Sequence, residues 1–228
     1  MIPNNVIQRV FFVKHGNAEG TCFTVDVDGK QYIMSAKHIF SSVESRATVK
    51  IYHDRQWRNI DVSLVGHCQD DIDITILAAD IQISPTHTLE ATCTEMYYGQ
   101  DVYFLGFPYG MYSDLGEINN DFPLPFVKKA IVSNMAFQDN MLRIIYLDGH
   151  NNPGFSGGPV VFQFPPKSQN FRVAGVISGY EYRDEPIFDG NGPLPLAYKY
   201  NTGIIISYCI NHAIKVISDN PKGFLLPK

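Results

Sequence analysis

A chain of 228 residues with 45% hydrophobic and 13% aromatic content can bury a substantial core, which excludes a disordered or fibrous protein. A formal net charge of −5, with no block of Lys or Arg, gives no footing for nucleic acid or an anionic membrane surface. No apolar run approaches the roughly 18 residues needed to span a bilayer.

Residues 1–15 include Pro3, Asn4, Asn5, Gln8 and Arg9. They lack the basic start, apolar middle and small-residue cleavage site of a signal peptide, so the expected location is cytoplasmic. Strand signals then dominate. Runs at 23–27 and 31–35 flank Asp28-Gly29, and Asp-Gly between alternating runs signals a hairpin. A single helical turn is expected over 36–41, carrying His38. Further short β-like runs lie at 49–52, 60–65, 74–77, 102–105, 130–133, 142–147, 159–164, 173–178 and 202–206. Residues 208–218 place Ile210, Ala213, Ile214 and Ile217 on one face of a helix. Ser207 is its expected cap and Asn220-Pro221 its stop. The stretches 109–125 and 180–196 read as longer loops, candidate exosites or gates. Many short strands with turns between them suggest a sandwich or barrels, and periodicity does not choose between these.

The chemistry concentrates in Gly154-Phe155-Ser156-Gly157-Gly158-Pro159, just before the apolar run Val160-Val161-Phe162. Glycines let two backbone N–H groups point into one cavity, where they can hold the oxyanion of an acyl-transfer intermediate. The serine supplies a nucleophile, which needs a base, and the base needs an orienting acid. Ser35-Ala36-Lys37-His38 offers the base after a strand-like run. Asp73, in Asp71-Ile72-Asp73-Ile74-Thr75-Ile76-Leu77, offers the acid, with Asp71 as its rival. The chain order His38, Asp73, Ser156 is that of chymotrypsin-type proteases and differs from the subtilisin and α/β-hydrolase orders.

The chain therefore resembles the trypsin-like serine peptidases of chymotrypsin fold, and within them the HtrA-like bacterial branch. Asn152-Pro153-Gly154-Phe155-Ser156-Gly157-Gly158-Pro159 is similar to that branch's N-P-G-x-S-G-G-P signature. Leu105-Gly106-Phe107-Pro108-Tyr109-Gly110 is similar to its L-G-x-P-x-G segment, and Gly20-Thr21-Cys22-Phe23 to its G-S-G-F. The resemblance implies an all-β fold of two antiparallel six-stranded barrels with a short C-terminal helix. Residues 1–95 would form the barrel carrying His38 and Asp73, and residues 96–228 the barrel carrying Ser156. The PDZ domain usual in that branch is expected to be absent.

It further implies a serine endopeptidase with His38, Asp73 and Ser156 as triad and the N–H groups of Gly154 and Ser156 as oxyanion hole. Ser178 falls near the triad aspartate. His150, Asn151, Asn152 and Pro153 would form one wall of the substrate pocket, and Ser178, Gly179 and Tyr180 the other. Uncharged walls point to a small or medium apolar residue before the cleaved bond. A side chain that hydrogen-bonds His150, including an acidic one, is the runner-up. Asp148 and Glu181 flank the walls. Many secreted members carry an Asp immediately before the nucleophile, which pairs with a freshly cut N-terminus. Phe155 stands there, so that activation switch is not expected. Cys22, Cys68, Cys93 and Cys209 form no C-x-x-C pair and match no usual disulfide of the family, so four reduced thiols are expected, with no metal and no cofactor. The expected partner is a polypeptide substrate, with neither nucleic acid nor membrane. A protein activator in a bacterial defence or signalling system is an alternative, as is an idle binding module that kept the fold.

Overall fold

The computed structural model describes residues 2–69, 71–190 and 192–227. A short helix, α1 (Asn4–Ile7), leads into β1 (Val10–His15), β2 (Ala18–Val27) and β3 (Lys30–Ser35). Asp28 and Gly29 both take positive φ, 50° and 73°, the backbone a two-residue hairpin turn demands. The turn α2 (Lys37–Phe40) follows, then β4 (Arg46–His53), β5 (Gln56–His67) and β6 (Thr75–Ala79). β3 pairs with both β2 and β6, so six antiparallel strands close into a barrel in the order β3-β2-β1-β4-β5-β6. Phe11, Ile33, Phe40, Val49 and Leu77 are among the side chains buried together in it.

The second sheet begins with β7 (Glu90–Ala91), β8 (Asp101–Gly106), β9 (Phe126–Gln138) and β10 (Met141–Asp148). It continues with β11 (Pro159–Gln163), β12 (Phe171–Phe188) and β13 (Pro193–Cys209). Pairing of β11 with both β8 and β12 joins six of these strands in a ring, with β7 added parallel to β12. The helix α3 (Asn211–Asp219) comes next, and β14 (Phe224–Leu225) returns to pair with β3 of the first sheet. One apolar cluster draws Phe12, Phe23 and Ile76 from the first barrel and Phe107, Val161 and Val176 from the second. It cements the junction where the glycine-rich turn lies. At about 2 kcal/mol per buried large side chain, such a seam holds two sheets as one body. The fold class is the expected one. The chain is mostly strand, and among the described residues no helix is long and apolar enough to cross a membrane.

Three expectations are corrected. Residues 180–196 are not a loop. They are mostly the outer half of a long β12–β13 hairpin, paired from Tyr182↔Asn201 out to Phe188↔Pro193. Its side chains are solvated, so it lacks the alternation that marks a half-buried strand. Ser207 does not cap α3. The helix starts after Ile210, and the Ser207 hydroxyl is buried in β13 without a partner. The four thiols are not all free. Cys93 and Cys209 are joined, with their Cα atoms 6.0 Å apart. A separation of 116 residues gave no local signal for this bridge. Cys22 and Cys68 remain free and buried. Burial pushes the Cys68 thiol up to about 12, and the Cys22 thiol higher still.

The stretch 109–125 is a strap across the first barrel. Arg55 Nε donates to Asp114 at 2.6 Å, His53 Nε2 lies 2.9 Å from the Asn120 carbonyl, and Phe122 meets Phe11 edge-on at 5.0 Å.

Candidate active site

His38 is placed by the way β3 ends. After Ser35 the chain stays extended through Ala36 and then makes one turn that buries Ile39 and Phe40. Burial of those two leaves the His38 ring facing outward. The segment ahead of β6 brings Asp73 to it, anchored by the fully buried Ile74 and Ile76. The Asp73 carboxylate accepts the His38 backbone N–H at 2.8 Å. Its other oxygen accepts from the ring Nδ1 at 2.7 Å and from the Ser178 hydroxyl at 2.7 Å. Burial pushes the Asp73 carboxyl up, but these hydrogen bonds and the facing imidazole outweigh it and hold the group below its ordinary value. An Nδ1–H bonded to this carboxylate leaves Nε2 as the proton acceptor. Asp71, the rival, lines the same cleft but pairs with Arg143 and not with His38. Its side chain is 68% exposed, whereas that of Asp73 is 14% exposed.

The turn bearing Ser156 is fixed on all sides. Asn152-Pro153-Gly154-Phe155 is closed by Phe155 N–H on the Asn152 carbonyl at 3.3 Å, with Gly154 at φ +102°. Only glycine tolerates that backbone cheaply. The Pro153 carbonyl accepts from Tyr109 N–H at 2.8 Å. In a planar trans peptide the N–H points opposite to the C=O, so Gly154 N–H is turned away from Tyr109. The Phe155 carbonyl likewise accepts from Gly158 N–H at 2.8 Å, which orients Ser156 N–H the other way. Neither freed N–H has a protein acceptor among the described residues. Such a pair of unpaired donors is what an oxyanion can occupy.

Thr21 ties this turn to the first barrel. Its hydroxyl donates to the Gly154 carbonyl at 2.7 Å and accepts from Phe107 N–H at 3.2 Å, and its N–H donates to the Ser156 carbonyl at 2.9 Å. Gly157 packs so closely that an added Cβ would lie 2.1 Å from the Thr21 carbonyl. The Ser156 hydroxyl itself donates to the Ser178 carbonyl at 3.0 Å. Ser178 thus touches both Asp73 and Ser156. The Ser156 hydroxyl is therefore bonded to Ser178 and not to the His38 ring.

Residues 20–163, which include His38, Asp73 and Ser156, match the trypsin-like peptidase domain family. The chain belongs to that family. Among solved structures this trypsin-like peptidase resembles a mutant, inactive form of Rv3671c from M. tuberculosis H37Rv. The TM-score is 0.59 and the identity 15%, with 95% of this chain and 88% of that chain covered. It also resembles the HtrA-type protease AlgW solved with a tripeptide, at TM-score 0.58 and 20% identity. That match covers 94% of this chain but 60% of AlgW. No curated protein matches the sequence.

The expected pocket walls meet through Asn151. It is buried, its amide donates to the Gly179 carbonyl at 3.0 Å, and its own carbonyl takes the Asn201 amide at 2.8 Å. Asn151 Oδ1 is buried without a partner. His150 is exposed, and Ser178, Gly179 and Tyr180 are half-buried. An open cleft of about 490 Å³ lies beside the His38–Asp73 pair, lined also by Lys37, Asp71, Ser178 and Tyr208. The sequence reading missed the contributions of Thr21, Tyr109 and Lys128. Thr21 and Tyr109 lie inside recognised motifs, yet what they do is carried by contacts no spacing reveals.

Proposed function

We propose that this trypsin-like peptidase is a serine endopeptidase. The observation that carries it is the Asp73 carboxylate bonded at once to His38 Nδ1 and to Ser178, whose carbonyl holds the Ser156 hydroxyl. In this reading the Ser156 hydroxyl swings toward His38 and gives its proton to Nε2 as its oxygen attacks a peptide carbonyl. Asp73 holds the imidazolium that forms. The carbonyl oxygen becomes an oxyanion and takes the N–H groups of Gly154 and Ser156. His38 then returns the proton to the leaving amine, the C–N bond breaks, and an acyl-enzyme remains. Water attacks it, losing a proton to His38; the acyl C–Oγ bond then breaks as His38 returns that proton to Ser156, and the product acid leaves. No cofactor enters this scheme. The Cys93–Cys209 bridge is of a kind that persists in oxidising compartments, so it runs against the cytoplasmic location expected from the N-terminal sequence.

The test is labelling by a fluorophosphonate together with hydrolysis of an unstructured protein such as casein. Wild-type protein should label and cleave, and folded Ser156→Ala and His38→Ala should do neither. Turnover by folded Ser156→Ala at the wild-type rate would sink the proposal.

A further inference from the structure

The nucleophile turn has one more anchor, and it is charged. Lys128, in β9, donates from Nζ to the His150 carbonyl at 2.5 Å and to Asn152 Oδ1 at 2.6 Å. The same ammonium lies 5.5 Å from the centre of the Phe155 ring. Its three contacts are therefore residues 150, 152 and 155, which bracket Gly154 and run up to Ser156. Phe155 is wholly buried and meets Phe104 edge-on at 4.9 Å, and Phe104 is the β8 residue directly opposite Lys128. Strand pairing thus fixes the base of the lysine against the ring it covers. The neighbouring Lys129 is committed elsewhere, to Asp101 at 2.9 Å. Burial pushes the Lys128 ammonium down, as expected where neutral oxygens and a ring face replace water.

We propose that Lys128 is a positioning residue that holds the 150–155 turn in the form presenting the N–H groups of Gly154 and Ser156. This rests on the oxyanion role proposed for those two groups. The residue before the nucleophile is Phe155, which cannot receive a freed N-terminal ammonium as an aspartate does. Here the ammonium comes from inside the second sheet instead. Its acceptors are a carbonyl, an amide oxygen and a π-face, all of which suit a half-buried cation without a carboxylate. The brace is built with the strand, so the turn is ordered without proteolytic processing.

The experiment compares Lys128→Met, which keeps the aliphatic stem, with Lys128→Arg, which keeps the charge. Lys128→Met should lower kcat roughly ten- to a hundredfold, less than the about 10²–10³ that outright loss of one oxyanion donor costs, with KM changed less than about threefold. Lys128→Arg should recover part of the loss. Amide hydrogen exchange is measured in parallel in a Ser156→Ala background, where turnover plays no part. Lys128→Met should speed exchange across 150–158 at least tenfold, leaving the first barrel unchanged. If Lys128→Met does not fold, Asn152→Ala, which removes one acceptor, should speed the same segment. Unchanged exchange in the folded variant overturns the proposal, as does unchanged kcat in an active enzyme. Faster exchange in a protein whose wild type hydrolyses nothing would support the brace while refuting the peptidase reading.

Discussion

Gly154→Ala is the sharpest perturbation of the turn. At φ +102° an L side chain is strained, and left-handed backbone alone costs about 1–2 kcal/mol. The added Cβ would lie 2.2 Å from the Phe107 carbonyl oxygen and 3.0 Å from Tyr109 N. That wall does not yield cheaply. Phe107 is fully buried and stacked on Phe12 at 5.2 Å, and its N–H is held by Thr21. The turn must therefore give instead, breaking the Tyr109 N–H to Pro153 bond, worth about 1 kcal/mol. These contributions together are about 2–3 kcal/mol, which for a chain of this size lowers Tm by roughly 5–10 °C. The rotation that relieves the clash also turns Gly154 N–H out of the cleft. A lost oxyanion donor costs about 10²–10³ in rate, so kcat should fall about a hundredfold or more while KM moves little. The assay is peptide turnover normalised to sites titrated with a slow fluorophosphonate. Gly190→Ala in the outer hairpin is the control, because its added Cβ meets nothing within 4 Å. Wild-type kcat in folded Gly154→Ala would refute the oxyanion assignment.

Asp73→Asn should keep the fold and lower turnover by orders of magnitude, because the wrong His38 tautomer is favoured. The Asp73 carboxyl is held below its ordinary value, so its stabilising contribution is present above the unfolded carboxylate pKa of about 3.9 and is lost as pH falls through the folded value. Urea melts should therefore show the wild-type advantage over Asp73→Asn narrowing as pH drops from 6 to 2, and a gap that widens on acidification would contradict this. Reducing the Cys93–Cys209 bridge, which closes a span of 116 residues, should cost up to about 4–5 kcal/mol and lower Tm by roughly 10 °C; a melt unchanged by reductant would show that the bridge contributes nothing. Library profiling should show cleavage after small or medium apolar residues, since Asn151 links the walls and none of Asn151, Gly179 and Tyr180 carries a carboxylate. Dominant cleavage after Arg or Lys would overturn that and turn attention to Asp148 and Glu181.

What was legible in the sequence was local. Asp28-Gly29 announced its hairpin because the two-residue turn depends on the backbone freedom of those two residue types. The apolar face of α3 followed from spacings of one to four residues. The glycine-rich turn at Ser156 was readable because its glycines answer to close contacts. Gly154 lies against Phe107 and Gly157 against Thr21, and no larger residue fits. The unreadable features are long-range or solvated. The bridge joins residues 116 apart. The outer β12–β13 hairpin is held by main-chain pairing, and main-chain pairing leaves no apolar pattern. Ser207 looked like a cap because a serine before an apolar-periodic run usually is one, but β13 continues through Cys209 and carries that serine into the sheet.

The same distinction explains how the site is built. Each chemical group sits on a short, locally specified turn, while its orientation comes from a residue far away in sequence. His38 is oriented by Asp73, Asp73 by Ser178, the Gly154 peptide by Tyr109, and the turn as a whole by Thr21 and Lys128. Thr21 and Asp73 come from the first barrel, and Tyr109, Lys128 and Ser178 from the second. A shift of one barrel against the other would move His38 relative to Ser156 and loosen the turn through Thr21. Thr21→Val isolates that link. It keeps the shape, leaves the Gly154 carbonyl and Phe107 N–H buried without a partner, and should cost about 1–3 kcal/mol. Because Thr21 touches the turn but neither the His38 ring nor the Asp73 carboxylate, kcat should fall while the acid limb of the pH–rate profile stays in place. A displaced acid limb with unchanged kcat at the plateau would mean that Thr21 acts on the His38–Asp73 pair and not on the turn.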